Sequence, residues 1–213
     1  MNGRSFVWLA GQRTGTVLRP TYATVKRAMD ILFVALAALP AIMLIAACGL
    51  AILVLMGKPV FFVQNRIGKG GRIFRMCKLR SMQQCQSGMA VATAINDPRV
   101  TPFGRFLRLS HLDELPQLWN IVKGDMTLIG PRPEQPELVE VYRAELPSYD
   151  HRHSVVPGLT GLAQVYYGYA ADVEGTRIKL EYDLQYVSNF GPAIDLKILV
   201  RTMLVYSNLT YVR

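Results

Sequence analysis

Two adjacent carboxylates, Asp113 and Glu114, are the residues with the clearest chemical potential, and they lie in the stretch 105–116. Either Ser110 or Asp113 is suited to cap the start of a helix. If Asp113 is the cap, Pro116 takes the third helical position, where a missing N–H has no partner in any case. Both carboxylates then lie at the positive end of a helix, where an aspartate stays ionised and a bound phosphate meets free N–H donors.

This carboxylate pair is open to two interpretations. One is a carboxylate nucleophile, or a Mg²⁺ ligand, beside a second carboxylate. The other is an ordinary acidic first turn of a helix, which the spacing by itself favours. Arg108, five residues before Asp113, is placed to meet a bound phosphate with its planar guanidinium.

Sequence patterns of several other familiar sites are missing. There is no GxGxxG or GxxxxGK[ST] loop, so a nucleotide would have to be held in another way. The three histidines, at positions 111, 151 and 153, give little support for a metal site built on two or three imidazoles. The three cysteines have no CxxC spacing, which indicates neither a disulfide framework nor a zinc site and is typical of a reducing compartment.

The composition favours membrane contact and an anionic partner. Of the 213 residues, 51% are hydrophobic and 18% are charged, and the mean hydropathy is +0.20, which excludes a disordered or collagen-like chain. Residues 1–108 carry 15 of the 24 Lys and Arg but only two of the 15 acidic residues, a net charge of +13, whereas residues 109–213 carry −4. Nucleic acid, anionic lipid and a phosphorylated substrate all remain open as partners of the basic half.

A run of 27 residues without charge, from Ile31 to Gly57, predicts a membrane helix. A straight helix of this length extends about 40 Å, beyond the ~30 Å hydrocarbon core. Pro40 near its middle is expected to break it, and basic residues flank it on both sides, whereas a spanning helix favours one side. A helix that bends at Pro40 and leaves by the same face explains both features, but sequence physics leaves the re-entrant and spanning alternatives open. Residues 1–21 lack a long apolar core and are predicted to be an N-terminal tail rather than a signal peptide.

Short elements are expected around the carboxylate pair. Glycines among aromatic and basic residues favour short strands and turns with a basic surface over residues 58–80. Two prolines flank Arg132 in the sequence Gly130–Pro133 and hold its backbone extended, which restricts how the arginine points. The other predictions are a polar loop over 81–96, helices over 103–109 and about 110–122, an acidic amphipathic helix over 134–149, and an apolar C-terminal helix over 194–212 that fits either a membrane interface or a core.

Several short motifs follow one another along the chain in a characteristic order. They are Lys26–Asp30 ahead of the apolar run, Gln64–Gly68, Phe74–Met82, Asp97–Thr101 with Gly104–Arg108, Leu112–Asn120, Gly124–Met126, Gly130–Pro133 and Pro157–Gln164. With these motifs the chain resembles the bacterial sugar transferases, the monotopic phosphoglycosyl transferases, over about residues 26–202. Each motif alone is weak, but their order and number make the resemblance specific.

The resemblance implies an enzyme that transfers a sugar 1-phosphate from a UDP-sugar to undecaprenyl phosphate with release of UMP. The expected sugar is a hexose such as galactose or glucose, and the product would initiate exopolysaccharide or glycoconjugate synthesis. Asp113 is the expected nucleophile, which forms a covalent phosphosugar intermediate, and Glu114 is expected to assist as a ligand, an acid–base group or an orienting group. Mg²⁺ near Asp113 is expected to neutralise the diphosphate. Lys78, Arg108 and Arg132 are the expected phosphate contacts.

The implied fold is α+β and mostly helical, with a re-entrant membrane helix broken at Pro40 within residues 22–57. A catalytic domain with interfacial amphipathic helices is expected over residues 58–213, on the cytoplasmic face of the bacterial inner membrane. Its expected partners include anionic phospholipid but not nucleic acid, and a homodimer is compatible with the resemblance. The chain departs from the family at Leu39, where serine often precedes the proline, and at Leu79, where an aromatic residue is usual. The alternative function is a membrane-tethered nucleic-acid-binding or adaptor protein without catalysis.

Overall fold

The computed structural model describes residues 20–83, 97–168 and 172–207. Most of the predicted N-terminal tail and most of the predicted polar loop over 81–96 lie outside the described residues. The described chain is mostly helical with two small sheets, which confirms the α+β class. Its helices are α1 (Pro20–Met56), α2 (Pro102–Leu109), α3 (Gln117–Lys123), α4 (Pro136–Glu145), α5 (Leu162–Tyr166), α6 (Val173–Ser188) and α7 (Pro192–Ser207).

The apolar run forms one continuous helix, α1, whose helical backbone passes through Pro40. Helix α1 therefore does not end at Pro40, and the re-entrant bend at this residue stays a prediction. Proline already has the helical φ angle, so its cost is one missing hydrogen bond and a clash with the preceding turn, which a long helix absorbs by bending. Helix α1 is long and apolar enough to cross a membrane, and 17% of its most apolar 18-residue window is buried. Most of its apolar surface therefore faces away from the rest of the described chain.

One face of α1 packs on the rest of the chain along most of the helix. The buried side chains recur every four or seven residues and are Lys26, Asp30, Val34, Ala41, Cys48 and Ile52. Near the start of α1, Asp30 accepts hydrogen bonds from the Thr127 hydroxyl at 2.6 Å and the Leu128 N–H at 3.2 Å. At its end, the Arg80 guanidinium donates to the carbonyl of Met56 at 2.6 Å and to those of the next two residues. Both ends of α1 are thus attached to one folded unit.

The described strands form two two-stranded sheets. Strands β1 (Phe61–Ile67) and β2 (Ile73–Leu79) are antiparallel, and β3 (Thr127–Ile129) and β4 (Gly158–Thr160) are parallel. In the first sheet, Phe62 pairs with Lys78 and Asn65 pairs with Arg75. The connection turns through Gly70, whose φ of +66° is a conformation that favours glycine. The prediction of short strands and turns over residues 58–80 is confirmed.

The carboxylate pair lies in a tight turn between α2 and α3. His111 takes the left-handed conformation, with φ of +55°, and a 3-10 helix follows at Leu112–Glu114. Pro116 is the N-cap position of α3, so the α-helix begins at Gln117 and the carboxylate pair lies in the separate 3-10 helix before it. The predicted capping by Ser110 or Asp113, and the single helix over 110–122, are therefore wrong.

Helix α7 has one buried and one exposed apolar face. Asp195 and Ile198 lie in the core, and Ile198 has no exposed surface. Leu196, Val200 and Met203 are more than half exposed. The core interpretation of the C-terminal helix is confirmed for the first face, and membrane contact remains a prediction for the second.

Candidate active site

Asp113 is buried at the turn between α2 and α3, with 6% of the residue exposed. Among the described residues, none donates a hydrogen bond to its carboxylate. Burial raises the pKa of Asp113 from 3.8 to about 6, because the charged form loses its hydration. Lys78 opposes this rise and the neighbouring charge of Glu114 adds to it. Within the described part of the chain, the Asp113 carboxylate is therefore not engaged by a hydrogen bond.

Glu114, the next residue, is in the opposite state. Its carboxylate accepts a hydrogen bond from Lys78 Nζ at 2.8 Å. The Arg132 guanidinium donates a hydrogen bond to each of its two oxygens, with Nη1 at 3.2 Å from Oε2. Burial by itself would raise the pKa of Glu114, but Arg132 and Lys78 outweigh it and hold this pKa well below its usual range. Glu114 is therefore a permanent anion that fixes two cations beside Asp113.

The environments of the two neighbouring carboxylates push their pKa values apart. This arrangement is typical of sites in which two acidic groups have different chemical roles. Glu114 holds positive charge in place, whereas no described residue donates a hydrogen bond to Asp113. The geometry favours the functional interpretation of the pair over an ordinary acidic turn, since the two side chains differ in partners and not only in sequence position.

Lys78 reaches Glu114 because strand β2 is tied to helix α3. Asn120 is 1% exposed, and its amide donates to the Arg75 carbonyl at 2.8 Å and accepts from the Cys77 N–H at 3.2 Å. These two bonds fix the strand next to the helix that follows Glu114. Asn120 was missed by sequence reasoning, because its partners on β2 lie more than 40 residues earlier in the chain.

Arg132 reaches the site from a different part of the chain, the loop between β3 and α4. Arg132 Nη1, besides its contact with Glu114, lies 3.4 Å from the Leu159 carbonyl. The Arg132 carbonyl accepts a hydrogen bond from Arg152 Nη2 at 2.7 Å. Arg152 was missed because an arginine between two histidines has the sequence pattern of an exposed basic turn.

Arg108 lies close to the pair but is engaged elsewhere. Its Nε donates to the Ser81 hydroxyl at 2.9 Å, and its Nη2 lies 2.9 Å from Met82 Sδ. Burial is the largest influence on the pKa of Asp113, and Arg108 is among the charges that oppose it. The structure thus joins Lys78 and Arg132 directly through Glu114 and places Arg108 within electrostatic reach of Asp113.

Comparison with known proteins identifies the family to which this site belongs. A family model described as bacterial sugar transferase matches residues 21–208, nearly the whole chain. The chain belongs to this family. The resemblance inferred from the ordered motifs is therefore confirmed.

Curated relatives of this bacterial sugar transferase act on different sugars. The chain is 48% identical over 189 residues to the UDP-N-acetylgalactosamine-undecaprenyl-phosphate N-acetylgalactosaminephosphotransferase of Aeromonas hydrophila. The aligned residues make up 86% of this chain and 44% of that protein. It is 41% identical over 181 residues to the UDP-glucose:undecaprenyl-phosphate glucose-1-phosphate transferase of Caulobacter vibrioides, covering 84% and 68%. A protein of that same name from Escherichia coli is 38% identical over 181 residues, covering 84% and 39%. The chain thus spans less than half the length of two of these three relatives.

The donor groups of this bacterial sugar transferase fit one way of holding Mg²⁺. No group of three or more His, Cys, Asp or Glu side chains with metal-binding geometry occurs within the described ranges. Glu114 is occupied by Lys78 and Arg132, which leaves the Asp113 carboxylate as the available ligand. Mg²⁺ in nucleotide sites is commonly held by one or two carboxylates together with substrate phosphates and water. The residues therefore fit a Mg²⁺ that arrives with a diphosphate, and its binding remains a prediction.

Proposed function

We propose that this bacterial sugar transferase moves a sugar 1-phosphate from a UDP-sugar to undecaprenyl phosphate and releases UMP. The observation that carries the proposal is the asymmetry of the carboxylate pair. Asp113 is buried without a donor among the described residues, whereas Glu114 is held by Lys78 and Arg132. The names of the relatives, which specify UDP-linked glucose or N-acetylgalactosamine and undecaprenyl phosphate, support these substrate classes. The donor is accordingly a UDP-linked hexose or an N-acetylated hexose.

In the first half of the reaction, an oxygen of the Asp113 carboxylate attacks the phosphorus that carries the sugar. A bond forms between that oxygen and phosphorus, and the phosphorus–oxygen bond to UMP breaks with its electron pair leaving on UMP. A pKa of about 6 leaves most Asp113 carboxylates ionised at pH 7, so no base is needed to activate this nucleophile. The product of this half is a phosphosugar ester of Asp113.

In the second half, a phosphate oxygen of undecaprenyl phosphate attacks the same phosphorus. The bond to Asp113 breaks, which restores the carboxylate and gives undecaprenyl-diphosphate-sugar. Lys78 and Arg132 contact the diphosphate oxygens, because Glu114 already holds both cations beside the nucleophile. Mg²⁺ bound through Asp113 would supply further neutralisation of the diphosphate charge.

The attachments of α1 support a site at the membrane surface. Asp30 near the start of α1 and the carbonyls at its end are bound by residues of one folded unit. The ends of a spanning helix would lie on opposite sides of a hydrocarbon core about 30 Å thick, where one polar domain does not reach both. A helix that enters and leaves by the same face keeps both ends with the domain. In this proposal the domain lies on the cytoplasmic face of the bacterial inner membrane, with the exposed face of α1 in lipid.

Release of UMP tests the proposed reaction. The protein, purified in lipid nanodiscs, is given undecaprenyl phosphate, Mg²⁺ and, in turn, UDP-glucose, UDP-galactose, UDP-N-acetylglucosamine and UDP-N-acetylgalactosamine. We expect turnover with at least one donor. Failure with every donor, by protein that remains folded, would contradict the proposed function.

The covalent intermediate is tested by omitting the acceptor. With a sugar-labelled donor, about one label per chain should stay on the protein, since Asp113 can accept one phosphosugar. Asp113→Asn should abolish both the label and UMP release. Glu114→Gln is the matched control, because it retains the nucleophile and should slow labelling without abolishing it. Full activity of Asp113→Asn would remove Asp113 as the nucleophile.

A further inference from the structure

The loop that carries Arg132 has a donor for each of four successive carbonyls. Two donors are backbone groups: the Gly158 N–H donates to the Pro131 carbonyl and the Ile67 N–H donates to the Glu134 carbonyl, both at 2.9 Å. The other two are arginine side chains: Arg152 Nη2 donates to the Arg132 carbonyl at 2.7 Å, and Arg66 Nη1 donates to the Pro133 carbonyl at 3.3 Å. Two of these four residues are prolines without an N–H, so the loop cannot satisfy itself in a regular ladder. Its conformation therefore depends on donors from other elements.

Arg152 is the most constrained of these donors. Its side chain is 3% exposed, and its guanidinium donates Nε to Asp183 at 2.9 Å, Nη1 to the Tyr149 hydroxyl at 2.9 Å and Nη2 to the Arg132 carbonyl at 2.7 Å. Asp183, on helix α6, is 2% exposed and pairs with the same guanidinium. The buried ion pair between Arg152 and Asp183 thus connects α6 to the backbone of Arg132.

We propose that Arg152 and Asp183 are positioning residues that hold Arg132 in the geometry needed to grip Glu114 and the substrate diphosphate, an inference that rests on the proposed function. Neither residue touches the reacting carboxylate in the structure; both act through Arg132. A buried ion pair is a weak source of stability, because apolar residues of similar volume often stabilise a core equally well. The rigid fork of a guanidinium, by contrast, fixes several acceptors in one plane, which a lysine cannot do.

The position of Arg132 matters because its guanidinium contacts Glu114 through two nitrogens. Its two terminal nitrogens must meet both oxygens of Glu114 at once, and a displacement of about 1 Å at such a site can cost about 10²-fold in rate. Side-chain packing alone does not set the backbone of the loop, since its prolines give no N–H for anchoring. Of the four donors to this loop, Arg152 is the one that binds the carbonyl of Arg132 itself.

Arg152→Lys tests the proposal, because it keeps the charge beside Asp183 but loses the planar fork. We expect about a 10²-fold fall in kcat for UMP release, with a smaller change in KM for the UDP-sugar. In an Arg132→Ala background the same change should reduce kcat by less than about twofold, because no arginine remains to be positioned. Equal factors in the two backgrounds would mean that Arg152 has only a structural role and would overturn the proposal.

Tyr149→Phe is the matched control, since Tyr149 is as buried as Arg152 and its hydroxyl meets the same guanidinium. It leaves the bond to the Arg132 carbonyl in place, so kcat should stay within about threefold of the unmodified protein. A fall as large as that of Arg152→Lys would contradict the assigned role. Where Arg152→Lys does not fold, Asp183→Asn replaces it, because it keeps the side-chain shape and removes only the charge.

An experimental structure of the Arg152→Lys protein separates this inference from the proposed function. The distance between Arg132 Nη1 and Glu114 Oε2, now 3.2 Å, should exceed hydrogen-bonding range in the variant. An unchanged contact would overturn the positioning role whatever the enzyme's substrates are. Absence of UMP release by the unmodified protein with every donor would instead refute the proposed function, and this structural measurement would still decide the role of Arg152.

Discussion

Asp113 attacks phosphorus only as a carboxylate, so its pKa sets the acid side of the pH profile. Burial raises this pKa from 3.8 to about 6 against the opposing charge of Lys78, which corresponds to about 3 kcal/mol of lost preference for the ionised form. We expect kcat/KM for UMP release to fall below about pH 6 and to reach about a tenth of its plateau at pH 5. An exposed aspartate would place the same fall near pH 4.

Two substitutions should move this acid limb in opposite directions. Lys78→Gln removes a cation that favours the Asp113 carboxylate, so the limb should move above pH 6. Glu114→Gln removes a negative charge that raises the pKa of Asp113. The charges of Lys78 and Arg132, which lower this pKa, are then no longer neutralised, so the limb should move below pH 6. One pKa unit corresponds to about 1.4 kcal/mol, and at an effective dielectric constant of about 20 the interaction between two nearby unit charges is of this order, so each movement should be about 1 pH unit.

The assay is kcat/KM for UMP release at half-unit intervals from pH 4.5 to 8, with the folded fraction checked at every pH. Arg143→Gln is the control, since Arg143 pairs with the exposed Asp150 and should leave the limb where it is. Both substitutions lower the plateau, but the position of the limb is independent of the plateau height. A limb near pH 4 in the unmodified protein, or movement of both variants in the same direction, would refute this account of the Asp113 environment.

Three further predictions concern the elements that hold the site. Tags placed before Lys26 and after Lys58 should both be cytoplasmic by accessibility labelling, because one domain binds both ends of α1; labelling on opposite sides would restore the spanning helix. Gly104→Ala should destabilise the protein by about 1–3 kcal/mol in thermal denaturation, since the new methyl group would overlap the Ser81 carbonyl, and an unchanged melting temperature would contradict this packing. Asn120→Ala should cost about 2–3 kcal/mol and slow UMP release, because it unpairs the Arg75 carbonyl and the Cys77 N–H next to Lys78; normal stability and rate would show that β2 is held by other contacts.

Local features of the chain were predictable from the sequence, because they depend on neighbours in the chain. The long apolar run predicted a helix, and glycines among strand-forming residues predicted the turn between β1 and β2. Helix α1 continues through Pro40, because a single proline weakens or bends a long helix without ending it. The predicted capping near Asp113 is wrong because the chain turns through the left-handed His111 into a separate 3-10 helix, and α3 begins only after Pro116.

The chemical difference between the two carboxylates was decided by the tertiary structure. By sequence alone, Asp113 and Glu114 are adjacent acids with nearly equal pKa values, and an acidic turn was the favoured interpretation. The cations that separate them come from 36 residues before Glu114, at Lys78, and 18 residues after it, at Arg132. Residue spacing fixes which side chains are neighbours along the chain, but ionisation depends on burial and on charges within a few ångströms, and packing sets both.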